Sequence, residues 1–241
     1  METGINKHIL IIIPCYNEEG NIPSLHYELE QLQIPGFNIS AIYINDCSKD
    51  NTKKVLEELN VPFLDNPINL GIGGTVQLGF MYAKTHGFDI AVQMDGDGQH
   101  PPSQLHKIVT PFLIDEVDVV IGSRFVHNDG FRSTFTRRMG IHFFYRLNKL
   151  LTGISIKDPT SGYRAYNQKA IADLLEYYPD EYPEPEAINY LASRKNRIRE
   201  VAVAMNERES GTSSIRRLNT LYYMAKVTLN ILFLHLKMKF K

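Results

Sequence analysis

Residues 8–13 form an almost unbroken apolar, β-branched run that stops at Pro14, the pattern of a strand buried on both faces of a parallel sheet. Shorter runs of the same kind recur at 39–44, 61–64, 90–94 and 117–121. Helical spacing fills the gaps at 18–33, 51–59, 74–85 and 102–113. Strand and helix therefore alternate four times, which predicts an α/β fold with a mostly parallel, Rossmann-like sheet flanked by helices. Beyond residue 124 the pattern is less regular, with helices expected over 137–151, 169–175 and 184–194 and a strand over 200–205. Residues 218–237 are mostly apolar, yet Asn219, Tyr223, Lys226, Asn230 and Lys237 fall at spacings of 4, 3, 4 and 7. That spacing predicts a C-terminal amphipathic helix with a narrow polar stripe.

In such sheets ligands bind beyond the carboxyl ends of the strands, and the residues there are unusually polar in this chain. Asp95 and Asp97 flank a glycine directly after 90–94, and two hard oxygen donors at that spacing suit Mg²⁺ or Mn²⁺, with Gln99 as a third oxygen and His100 beside it. The same Asp-Gly-Asp-Gly string also reads as a simple turn. Asp46 stands at the end of the second run, where its carboxylate can accept from a nucleobase edge, while Ser48 or Asp50 caps the next helix. Glu18 faces the same cleft and reads equally as a first-turn helix carboxylate. The stretch Asn69-Leu70-Gly71-Ile72-Gly73-Gly74-Thr75 lets backbone approach a phosphate closely, but it is neither a dinucleotide fingerprint nor a P-loop. Arg124 follows the fifth run, where a guanidinium fork can clamp a diphosphate.

Composition narrows the function classes. The 241 residues suit one large α/β domain or a domain with a tail. With 26 Lys+Arg against 27 Asp+Glu the formal charge is −1, which argues against a globally basic nucleic-acid binder. Cys15 and Cys47 make neither a disulfide framework nor a metal-ligand spacing. No signal peptide is legible, and no run approaches the roughly 18 apolar residues of a membrane-spanning helix.

Taken in order, Pro14-Cys15-Tyr16-Asn17-Glu18, Asp46 with Ser48-Lys49-Asp50-Asn51-Thr52, residues 69–74, and Met94-Asp95-Gly96-Asp97-Gly98-Gln99-His100-Pro101-Pro102 resemble the family 2 inverting glycosyltransferases of GT-A fold. Asp158-Pro159-Thr160-Ser161-Gly162-Tyr163-Arg164 and Glu207-Arg208-Glu209-Ser210-Gly211-Thr212-Ser213 are similar to later motifs of the dolichyl- or polyprenyl-phosphate sugar synthase branch. The resemblance spans residues 8–214. It implies that Pro14, Tyr16, Glu18, Asp46, Gly73, Asp95 and Arg124 contact a nucleotide-sugar donor, and that Asp95, Asp97 and Gln99 hold the metal. It also implies that Arg137, Arg138, Arg208 and Ser213 face donor or acceptor phosphates. Ser214 departs from the branch, which often has Lys there.

The expected reaction moves a hexose or N-acetylhexosamine from a nucleotide diphosphate sugar, UDP ahead of GDP, to a polyprenyl phosphate. Asp97 and Arg124 would be catalytic, and Glu186 or Asp158 would serve as general base if the acceptor were a saccharide hydroxyl. A polyprenyl phosphate is already an anionic nucleophile, and Glu186 reads equally as a helix N-terminal carboxylate. Residues 1–214 would be the catalytic domain, with a nucleotide-sugar half (1–124) and an acceptor half (125–214). Residues 215–241 would form a tail lying on an anionic membrane surface or docking on a small membrane protein, with no nucleic acid involved. This places the expected enzyme in the cytoplasm, peripheral to the inner face of the membrane. Transfer to a saccharide hydroxyl, or a catalytically silent nucleotide-sugar-binding module, are the rival expectations.

Overall fold

The strongest apolar run becomes the centre of the sheet. β1 (Lys7–Cys15), β2 (Phe37–Asn45), β3 (Phe63–Asp65) and β4 (Ile90–Gln93) pair in parallel in the spatial order β3-β2-β1-β4. β5 (Val119–Ser123), β6 (Arg164–Asn167) and β7 (Ile198–Ala202) extend it to the full order β3-β2-β1-β4-β6-β5-β7. The computed structural model describes residues 6–126, 135–179, 182–206 and 217–239.

Helices α1 (Ile22–Glu30), α2 (Thr52–Glu58), α3 (Gly71–Thr85), α4 (Leu105–Val109) and α5 (Pro111–Ile114) belong to the first half. The second half has α6 (Phe135–Thr152), α7 (Gln168–Glu176), α8 (Pro183–Ser193) and α9 (Arg217–Lys239). Alternation along β1 separates two cores. Ile9, Ile11 and Ile13 pack with Ile22, Leu25, Leu56 and Ile108, whereas Leu10 and Ile12 pack with Val76, Phe80, Ile171, Leu174 and Ile188 on the other face. Gly79 lets α3 lie close on β1, because a Cβ there would stand 2.3 Å from Ile12 Cγ2.

Three features differ from the sequence expectation. β6 is an antiparallel strand between β4 and β5, so the ends of those two strands are not neighbours. Its Arg164 is buried because the guanidinium donates to the carbonyls of Ser161, Pro159 and Glu184. The 102–113 segment opens with a 3₁₀ turn (Pro102–Gln104) and is divided before Pro111, whose ring nitrogen cannot donate. α9 forms as expected, but its polar stripe is not its most exposed face. Val227, Ile231 and Leu234 are buried, Lys226 and Asn230 are half-buried, and Tyr222, Leu229, Leu232, Phe233 and Leu236 are exposed. α9 is therefore apolar on its packed side and its outer side, and it joins Phe144 of α6 in a small third core. No helix among the described residues is long and apolar enough to cross a membrane.

Candidate active site

The loops after β1 and β2 are stitched into one wall. Asn17, at φ 58°, turns the chain so that its N–H donates to Ser48 Oγ at 3.0 Å and its Oδ1 accepts from Lys49 N at 2.8 Å. Glu18 N donates to Thr52 Oγ1 and Glu19 N to Asp50 Oδ2, while Glu19 Oε2 accepts from Asn51. Asp50 also accepts from Thr52 N and the Thr52 hydroxyl. Burial opposes ionisation of Asp50, but these donors outweigh it and hold the carboxyl below its ordinary value. Tyr16 projects outward beside Pro14, and Glu18 accepts from Asn21 Nδ2.

Asp46 sits behind that wall. Its N–H donates to Cys15 O, its Oδ1 accepts from Asn66 Nδ2 and Leu70 N, and its Oδ2 accepts from Gly71 N at 2.9 Å. At 4% exposure the carboxylate braces the start of α3 and does not lie open at the strand end. The glycine stretch also differs from the expected loop: α3 begins at Gly71, Gly73 lies buried in its first turn, and Asp46 occupies the helix N-terminus.

The Asp95–Asp97 turn lies against the first loop. A Cβ on Gly96 would stand 3.1 Å from Pro14 O and 3.7 Å from Glu18 Cγ, so a side chain there would crowd the first loop's carbonyl, and glycine eases the close approach of the two segments. Met94 N makes the last bond to β1, and Asp95 N donates instead to His100 Nδ1 at 3.0 Å. Asp97 is 3% exposed, and its Oδ1 accepts from Gln99 N. From the opposite side Gly162 closes in, its Cβ position lying 3.4 Å from Asp95 Oδ2. Asn206 bonds to Gly98 O and Gln99 O, so the end of the described segment after β7 covers this turn.

The fifth strand end is committed elsewhere. Arg124 Nε and Nη2 grip Asp158 at 2.7 and 2.8 Å, its N–H also donates to Asp158, and the two side chains are 6% and 0% exposed. The fork read as a diphosphate clamp thus closes on a protein carboxylate 34 residues away. Glu186, at 1% exposure, accepts from the Tyr177 hydroxyl and ties α8 to α7. Sequence reasoning passed over Glu184, two residues earlier. Burial pushes its carboxyl up, Arg164 opposes that, and the charge of Asp95 adds to it. An acidic pair around Pro185 was the only available signal. Arg138 is exposed near the start of α6. The Arg137 side chain, Arg208 and Ser213 lie outside the described residues.

Residues 10–175 match the model of glycosyl transferase family 2. The chain belongs to glycosyl transferase family 2. Among family 2 relatives, the UDP-N-acetylglucosamine–dolichyl-phosphate N-acetylglucosaminyltransferase of Methanococcus voltae is 30% identical, covering 92% of this chain and 90% of that protein. The undecaprenyl-phosphate mannosyltransferase of Micrococcus luteus is 31% identical over 86% of this chain and 87% of its own. A glucosyl-3-phosphoglycerate synthase from Mycobacterium tuberculosis, solved with Mn²⁺, UDP-glucose and phosphoglyceric acid, superposes with a TM-score of 0.74. At 18% identity over 95% of this chain and 80% of that one, the likeness speaks for the fold alone. The fold is thus GT-A, and this family 2 chain is a transferase related over most of its length to polyprenyl-phosphate sugar transferases. Among the described residues no three His, Cys, Asp or Glu side chains gather into a ready-made metal cage. Two carboxylates two residues apart nevertheless fit Mg²⁺ or Mn²⁺, which take few protein oxygens and fill the other positions with water and substrate phosphate.

Proposed function

We propose that this chain is a metal-dependent, inverting glycosyltransferase that moves a hexose or N-acetylhexosamine from a nucleotide diphosphate sugar to a polyprenyl phosphate. The observation that carries the reading is the Asp95–Asp97 turn pressed against the Pro14–Glu18 loop, in a chain whose full-length relatives are named for polyprenyl-phosphate acceptors. Pro14, Tyr16 and Glu18 wall the donor, with Asp46 and Gly73 bracing that wall from behind. Asp95, Asp97 and Gln99 hold Mg²⁺ or Mn²⁺, which when bound neutralises charge growing on the leaving diphosphate. Arg138, Arg137, Arg208 and Ser213 are the residues this reading assigns to binding donor or acceptor phosphates. An acceptor phosphate oxygen attacks the anomeric carbon as the bond to the diphosphate breaks, and this anionic nucleophile needs no strong base. Glu186 is accordingly a brace in this reading, and Arg124 a strut that fixes the 158–164 loop beside Asp95.

The acceptor is a membrane lipid, and the outer face of α9 suits a peripheral position at the inner membrane surface. Its exposed Leu229, Leu232, Phe233 and Leu236 bury in the lipid interface or against a small membrane protein, with Lys226 and Lys237 near anionic headgroups. The test is transfer of radiolabelled sugar from a panel of UDP and GDP sugars, UDP first, to undecaprenyl phosphate with Mg²⁺ or Mn²⁺. Chelator-sensitive label in an acid-labile lipid, lost in Asp97→Asn with an unchanged circular dichroism spectrum, is the expected result. Acid-stable label on a saccharide, or full activity in Asp97→Asn, overturns the acceptor or the metal assignment respectively.

A further inference from the structure

We infer that His100 is a positioning residue for Asp95, a role that rests on the metal reading above and deepens it. The Asp95 N–H is the first one past β4 that the sheet leaves unclaimed, since Met94 N closes the ladder on Ile12 O. It donates to His100 Nδ1 at 3.0 Å. That bond makes Nδ1 an acceptor, so the neutral ring carries its proton on Nε2. Nε2 lies 3.8 Å from Asp95 Oδ2, beyond hydrogen-bond range. One imidazole therefore binds the main chain of this aspartate and lies beside its carboxylate.

The ring is itself fixed. It is buried and stacks on Tyr163 at 4.8 Å with planes 12° apart, and the Tyr163 hydroxyl donates to Pro101 O. On the other flank, a Cβ at Gly162 would stand 3.5 Å from His100 Cε1, 3.4 Å from Asp95 Oδ2 and 3.2 Å from Gln93 Nε2. A side chain there would crowd Gln93 Nε2 and abut the carboxylate. The 95–100 turn is thus closed by an acceptor whose orientation is set by packing, and a metal ligand is oriented from behind.

His100→Phe keeps a flat ring on Tyr163 and removes the acceptor. His100→Asn offers an amide oxygen near the place of Nδ1. Mn²⁺ binding in the presence of UDP, followed by the electron paramagnetic resonance of free Mn²⁺, is measured alongside melting in chelator and KM for sugar nucleotide. The expected result is about ten- to a hundredfold weaker Mn²⁺ binding in the Phe variant, with most of the affinity restored in the Asn variant. Mn²⁺ affinity in the Phe variant within twofold of wild type, or equal losses in both variants, overturns the role of His100 while leaving the metal site standing. Absence of Mn²⁺ binding by the wild-type protein with UDP overturns the metal reading and this inference together.

Discussion

The Arg124–Asp158 pair offers a direct measure of how the end of β5 is held to the 158–164 loop. Asp158 accepts from Arg124 N, Nε and Nη2, its own N–H donates to Glu200 Oε1, and neither side chain of the pair is more than 6% exposed. Asp158→Ala leaves a guanidinium buried without its carboxylate, and breaking a pair of this kind costs about 3–5 kcal/mol. In a chain of this size each kcal/mol lowers the melting temperature by about 2–4 °C, so the variant is expected to melt about 6–20 °C early. Arg124→Met leaves the complementary orphan and falls in the same range. The double variant Arg124→Met with Asp158→Leu removes both charges and is expected to lose less than either single change. The chain contains no tryptophan, so far-UV circular dichroism is the natural probe. Single variants within about 1 kcal/mol of wild type, or a double variant whose loss equals the sum of the two, would refute a dry, mutually dependent pair.

Gly79→Ala should destabilise by about 1–3 kcal/mol despite the better helix propensity of alanine, because its Cβ would meet Ile12 Cγ2 at 2.3 Å. Urea titration checks it, and a variant more stable than wild type would show that α3 does not sit so close to β1. Burial pushes the Cys15 thiol well above its ordinary range, so alkylation at pH 8 should reach Cys15 only after denaturant is added; mass spectrometry of the native protein showing modified Cys15 would contradict this. The lowered Asp50 carboxyl contributes stability that is complete above the unfolded value of about 3.9 and is lost as pH falls below it toward the native value. Asp50→Asn should accordingly flatten the acid limb of the stability curve, whereas an unchanged limb would mean that the loop contacts carry no proton linkage.

Much of the fold is legible in the residues because β1 to β4 obey one rule, apolar runs closed by polar turns. β6 escapes that rule. Its sequence Arg-Ala-Tyr-Asn shows neither alternation nor an apolar run, and its buried Arg164 is satisfied by the carbonyls of Ser161 and Pro159 in the preceding turn and of Glu184 twenty positions on. The position of Asp95 and Asp97 at a strand end is readable locally, as is the polar character of the loops beside them. What each side chain does with that position is not. Asp46 turns inward to Gly71, Arg124 to Asp158 and Glu186 to Tyr177, and the first two partnerships join residues 25 and 34 positions apart. His100 carried no periodic signal at all; its partner is the neighbouring main chain, which sequence patterns do not display.

The place of β6 has a consequence for how the chain is made. β4 pairs with β1 from the first hundred residues, but its other side can be filled only once residues 164–167 exist to pair antiparallel with it. Until that segment is made, the strand that leads to Asp95 has an unpaired edge, the type of edge that templates pairing between separate chains. A partner about seventy positions downstream is what turns that hazard into the middle of a sheet.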